Sequence, residues 1–180
     1  EVAGIRLDNG KLRLDARLRT TNKRVFAIGD AAGGLQFTHV AGDHASTLVR
    51  NLLFKAPAAR RDHLAPRVTY CDPEIASVGL TEAEATKRGE AFTVVRWELS
   101  DNDRARAERD MDGWIKVLVG KNGRILGAAI VGEAAGDIVA LWSFALANGF
   151  KIRAMTNMIA AYPTRSEISK RVAGAYYTPT

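Results

Sequence analysis

An apolar run, Val25 to Ile28, stops at Gly29-Asp30 and a small-residue turn ending in Gly33-Gly34, and no other stretch restricts the fold of this chain as much. Four apolar residues in a row suit a strand buried on both faces, the kind found in open parallel sheets. Ligands in such sheets sit beyond the carboxyl ends of the strands, so Val25 to Ile28 is expected in the core and Asp30 at the mouth of a nucleotide site. Gly29 lets the backbone come close to a ligand, and the Asp30 carboxylate can accept hydrogen bonds from sugar hydroxyls. The same residues fit equally well a strand followed by an ordinary turn.

The rest of the chain divides in two. Ile5-Arg6-Leu7 and Leu12-Arg13-Leu14 flank Asp8-Asn9-Gly10, a hairpin signal, so residues 5–14 are expected to pair as a short antiparallel ribbon. Thr38 is a candidate N-cap for a helix over 39–54, with Val40, Ala41, Ala45, Leu48, Val49, Leu52 and Leu53 as one apolar stripe. Residues 56–66, with Pro57 and Pro66, read as a linker.

From Arg67 onward strands alternate with helices. Val68-Thr69-Tyr70, Ile75 to Val78, Ala91 to Leu99, Trp114 to Val119 and Ile125 to Val131 carry strand patterns, the last two joined across Lys121-Asn122-Gly123-Arg124. Thr81 with Glu84 forms a capping box for a helix stopped at Gly89, and 133–148 reads as a helix with Ala135, Ile138, Val139, Trp142, Ala145 and Leu146 at core spacing. The expected class is α+β, an antiparallel sheet covered by helices over 67–180, preceded at 1–55 by the end of an α/β domain.

Composition removes several function classes. With 47% apolar and 26% charged residues, 180 residues can bury a real core. The net charge of +6 raises nucleic acid as a partner. However, Arg104, Arg106 and Arg109 are interleaved with Asp101, Asp103, Glu108 and Asp110, the pattern of a solvated face, and no nucleic-acid partner is expected. No apolar run is long enough to span a bilayer, so no membrane span is expected and a cytoplasmic setting is the default. One cysteine and three scattered histidines, His39, His44 and His63, offer no metal-ligand spacing, so no metal is expected. His44 and His63 read as structural or solvent-facing, and Cys71 as a small buried apolar residue.

Three motifs carry a family resemblance. Thr21 to Asp30, T-x-x-x-x-F-A-x-G-D, resembles the second flavin-binding motif of the flavoprotein disulfide reductases, the pyridine nucleotide-disulfide oxidoreductases. Tyr70 to Glu82 resembles the opening of that family's C-terminal dimerisation domain, and Tyr162-Pro163-Thr164-Arg165-Ser166-Glu167 the segment that carries its catalytic His and Glu. The resemblance implies an FAD- and NAD(P)H-dependent enzyme. Gly29 and Asp30 would hold FAD, together with Phe37, Thr38 and His39 acting mainly through backbone. A helix start there would stabilise the anionic edge of a reduced flavin ring. The partners implied are a second copy of the chain, FAD and a small-molecule electron acceptor, with Ala134, Ala135, Ala145 and Ala147 allowing close approach of the twin.

The departures from the family are equally specific. No G-x-G-x-x-G and no Cys-x-x-x-x-Cys is present, and the nicotinamide-binding domain is missing, so the chain is expected to be a C-terminal piece of a larger flavoenzyme, inactive by itself. Tyr162 stands where the family's histidine precedes the proline, with Glu167 five residues later, as in mercuric reductases. A tyrosine stays protonated at neutral pH, so Tyr162 and Glu167 as the catalytic pair imply hydrogen bonding or ligand contact rather than proton shuttling. The chain ends Tyr176-Tyr177-Thr178-Pro179-Thr180 without the vicinal thiols of mercuric reductases, so mercuric ion reduction is not expected of these residues. Apart from the resemblance, Tyr162-Pro163 fits a turn, with Thr164 or Ser166 capping a helix whose first turn holds Glu167. A non-catalytic homodimerising module is the alternative reading.

Overall fold

The computed structural model describes residues 2–178, and the chain divides into two compact units on either side of the Ala65–Pro66 bond. In the first unit, β1 (Leu7–Asp8) and β2 (Lys11–Leu12) pair antiparallel, with Leu7 opposite Leu12. Asn9 and Gly10 connect them at φ of 49° and 77°, the two positive values that a tight hairpin turn requires. The strand expected at Val25–Ile28 does not form. Phe26 makes one bridge to Arg19, and the backbone is extended without a ladder. A strand is defined by its neighbour's hydrogen bonds, and among the described residues this segment has a neighbour at a single position. Ala27 is buried with Leu18 and Ala32 in a small core, whereas Ile28 is 39% exposed.

Helix α1 (Thr38–Leu52) begins one residue before its expected start. Phe37 is the N-cap, and Thr38 is the first helical residue and caps nothing with its side chain. The buried residues are Val40, His44 and Thr47; of the expected apolar stripe Val40 is buried and Leu48 packs against the small core, whereas Val49, Leu52 and Leu53 are exposed. Residues of the expected linker are tied back to α1 and to Ala16. The Asn51 side chain donates to the Ala58 carbonyl at 2.8 Å and accepts from the Ala58 amide at 3.0 Å, and the Arg60 amide donates to Ala16 O at 2.9 Å.

The second unit is α+β. Strands β3 (Arg67–Thr69), β4 (Ile75–Gly79), β5 (Phe92–Glu98), β6 (Trp114–Gly120) and β7 (Ile125–Val131) form one antiparallel sheet in the order β3-β4-β7-β6-β5. Alternation along the strands decides what each face buries. Ile115, Val117, Ala128 and Ile130 point to a core shared with Ile138, Val139 and Trp142 of α4 (Ala135–Ala147), Ile152 of α5 (Ile152–Thr156), and Ile168 and Val172 of α6 (Ile168–Ala175). Leu118 and Leu126 turn the other way, under Ala85 of α2 (Glu82–Lys87).

Thr81 and Glu84 make the expected capping box, and Asn122 and Gly123 close β6 to β7 at φ of 60° and 75°. Within α4, Ala135 and Ala145 are buried in the protomer's own core. They are therefore not available for the twin-facing contact expected of them, because the same spacing that suits close approach also suits internal packing. Two helices were not expected, α3 (Asp103–Glu108) and α5, whereas α6 is the helix that the turn reading puts after Tyr162-Pro163, with Glu167 as its N-cap. Among the described residues no helix is long and apolar enough to cross a membrane, and no group of three or more His, Cys, Asp or Glu residues could hold a metal ion.

Candidate functional site

The sequence-selected residues lie in two places, one in each unit. In the first unit Gly29 and Asp30 sit in a single 3-10 turn, Gly29–Ala32, rather than directly at a strand end, and the Asp30 side chain is exposed. Gly29 has φ of 56°, and a Cβ there would lie 3.0 Å from Ala41 Cβ of α1, so only glycine fits this turn without strain. His44, fully buried on α1, accepts a hydrogen bond from the Gly29 amide through Nδ1 at 3.1 Å and faces Asp62 Oδ1 through Nε2 at 2.9 Å. Phe37 and His39 stack at 5.1 Å at the start of α1, flanking exposed Thr38.

In the second unit, the loop from Tyr162 to Glu167 is bound to α3 at three points. Tyr162 OH donates to Asp103 Oδ2 at 2.9 Å, the Asn102 side chain donates to Thr164 O at 3.1 Å, and Arg165 donates to Glu108 Oε2 at 3.0 Å and Asp110 Oδ2 at 2.8 Å. Arg165 is 9% exposed, so its guanidinium is satisfied by this fork of carboxylates rather than by water. The hydrogen bond to Asp103, and then its charge, push the Tyr162 phenol above its ordinary value, and the Glu167 charge adds to the same effect. Hydrogen bonding from Arg104, with Arg165 adding, holds Glu108 below the usual carboxylate range.

Tyr162 and Glu167 are each held by a different partner, since Glu167 Oε1 accepts from Arg171 at 3.0 Å. Neither Thr164 nor Ser166 caps the helix with its side chain; Thr164 Oγ1 donates to Ala161 O at 2.7 Å instead. Glu167 also borders an open cleft of about 450 Å³ with Trp97, Ile159, Lys170, Arg171 and Gly174. Cys71 is exposed, contrary to the buried place expected, because it lies in the loop between β3 and β4, where its thiol donates to Pro73 O at 3.1 Å. Sequence reading passed over Asn102, Asp103, Glu108, Asp110 and Arg165. The usable signal was Asn102 as a helix cap, accepting from the Ala105 amide at 3.0 Å, with Arg104 and Glu108 at helical spacing behind it.

The second unit is an antiparallel sheet roofed by helices, with a Tyr-Pro loop braced by α3, and comparison with known proteins gives its family. Residues 65–173 match the pyridine nucleotide-disulphide oxidoreductase dimerisation domain. The chain belongs to that family. It is 30% identical over 174 residues to dihydrolipoyl dehydrogenase of Chlorobaculum tepidum, covering 96% of this chain and 37% of the relative. It is 32% identical over 170 residues to mercuric reductase of Streptomyces lividans, covering 94% of this chain and 36% of the relative. A solved flavoprotein disulfide reductase of Escherichia coli, the HOCl-induced RclA, superposes with a TM-score of 0.85 at 27% identity over 95% of this chain and 40% of that one. LpdA of Mycobacterium tuberculosis shares the fold, with a TM-score of 0.89 at 23% identity over 96% of this chain and 38% of that one. The chain thus spans under two fifths of the length of the first of these relatives.

Proposed function

We propose that the chain is the C-terminal part of an FAD-dependent NAD(P)H oxidoreductase, in which 1–55 completes the flavin domain, 56–66 links, and 67–180 forms the homodimer interface. The turn at Gly29-Asp30 carries this reading. Its amide is drawn inward by His44, its Cβ position is filled by Ala41, and its carboxylate is left exposed. That donor set fits FAD. Asp30 accepts hydrogen bonds from hydroxyls of the sugar-like tail, Gly29 allows close backbone approach, and Phe37, Thr38 and His39 present the start of α1 to the ring. When bound, FAD supplies the redox step between nicotinamide and acceptor.

The remaining roles fall to side chains of the second unit. Tyr162, its hydroxyl proton held by Asp103, contacts the acceptor through its ring and phenol oxygen at a site completed by the partner subunit, while Arg171 orients Glu167. A phenol that holds its proton does not shuttle it at neutral pH, which favours a mercuric-reductase-like acceptor site over the His-based exchange of lipoamide dehydrogenases. The nicotinamide site lies in the longer protein, so the 180-residue chain alone turns over no acceptor.

The visible spectrum of the longer protein is the test. The reading predicts yellow protein with bound flavin, and Asp30→Ala binds FAD roughly tenfold to a hundredfold more weakly through loss of hydrogen bonds to a charged group. A colourless longer protein that still dimerises overturns the reading and leaves a non-catalytic module.

A further inference from the structure

We propose that His44 is the positioning residue that sets the Gly29-Asp30 turn for flavin, an assignment that rests on the flavin reading above. His44 is 0% exposed, and both of its ring nitrogens are engaged. A backbone amide can only donate, so Nδ1, 3.1 Å from the Gly29 amide, carries no proton. The ring proton therefore sits on Nε2 and is donated to Asp62 Oδ1 at 2.9 Å. The other oxygen of Asp62 faces Arg60 Nη1 at 3.8 Å, and Asp43 on α1 is occupied by Arg61 at 3.0 Å. A directed chain results, from Gly29 N–H through the neutral imidazole to the Asp62 carboxylate, and it fixes the tautomer.

The consequence falls on Asp30. Holding the Gly29 amide inward keeps φ at 56° and seats the turn on Ala41, so the next residue, Asp30, projects outward. His44 touches no ligand; it acts through the turn. Without it the amide of Gly29 loses its acceptor, and the carboxylate of Asp30 is no longer held in one direction.

Three variants separate this role from simple packing. In His44→Asn the amide oxygen lies near the former Nδ1 and can still accept from Gly29. In His44→Gln the longer chain puts its amide nearer the former Nε2, and His44→Leu keeps bulk alone. In the longer protein, titration of the apoprotein with FAD is expected to give His44→Asn within about threefold of wild type, and His44→Gln and His44→Leu roughly tenfold or more weaker. In the 180-residue chain, ring ¹⁵N shifts are expected to report the Nε2–H tautomer. Hydrogen exchange at Gly29 is expected to quicken in His44→Leu and not in His44→Asn, with helical circular dichroism unchanged.

FAD bound equally by all three variants, or an Nδ1–H tautomer, overturns the assignment and leaves the flavin reading standing. Absence of FAD from the wild-type longer protein overturns the flavin reading, and the assignment with it.

Discussion

Tyr162 keeps its proton because its hydroxyl donates to the Asp103 carboxylate, an arrangement that favours the neutral phenol and repels the phenolate. A folded-state value raised in this way gives a stabilising contact that is complete below the unfolded phenol's range and is lost as the pH rises through the folded value. Asp103→Asn is therefore expected to let one tyrosine ionise at lower pH, read by ultraviolet titration against Tyr162→Phe; an unchanged titration curve contradicts the contact. Arg165 brings the opposite case. Its carboxylate partner Glu108 is held below the usual range by Arg104 first and Arg165 second, so this contribution is present at neutral pH and fades as Glu108 protonates in acid. Arg165→Ala is expected to lower stability by about 1–3 kcal/mol at neutral pH and by less in acid, measured by urea unfolding at both. These partners were hard to read from sequence because Asp103, Glu108 and Asp110 lie in a run whose mixed charges look like a solvated surface, while Arg165 lies 55 residues from Asp110.

The elements that could be read in advance carry local instructions. Asn9-Gly10 and Asn122-Gly123 specify their turns by positive φ, and Thr81 with Glu84 specifies a helix start by reciprocal hydrogen bonds. Glu84 is held below the usual carboxylate range mainly by the Thr81 backbone hydrogen bond, so the cap is complete at neutral pH and lost as Glu84 protonates. Thr81→Ala is expected to cost about 1 kcal/mol at neutral pH and less in acid, by thermal unfolding. Other elements depend on distant partners. Helix α3 reads as charges, and Val25 to Ile28 has strand composition without a ladder to join. The pairing of β4 with β7 is also fixed by approach rather than composition, since Gly79 pairs with Gly127 and a Cβ on Gly127 would meet the Leu80 carbonyl. Gly127→Ala is expected to destabilise the second unit by about 3 kcal/mol, and an unfolding midpoint equal to wild type contradicts that packing.

At the level of the molecule, the first unit offers an outward carboxylate on a glycine turn, and the second a braced tyrosine loop beside a basic cleft. The family motifs were legible because each is contiguous. What the sequence did not disclose is how each motif is held, by His44 and Asp62 in one unit and by α3 in the other, because those contacts join residues 15 to 62 positions apart. In the proposed function, electrons would reach an acceptor from FAD at a site to which Tyr162 contributes. Stopped-flow absorbance of the flavin in the longer protein tests it, with NADPH or NADH as reductant and lipoamide, mercuric ion and benzoquinone as trial acceptors. Tyr162→Phe is expected to leave flavin reduction by the nicotinamide unchanged and to slow flavin reoxidation by the true acceptor roughly tenfold or more. Reoxidation at the wild-type rate for every acceptor that oxidises the wild-type flavin would contradict it.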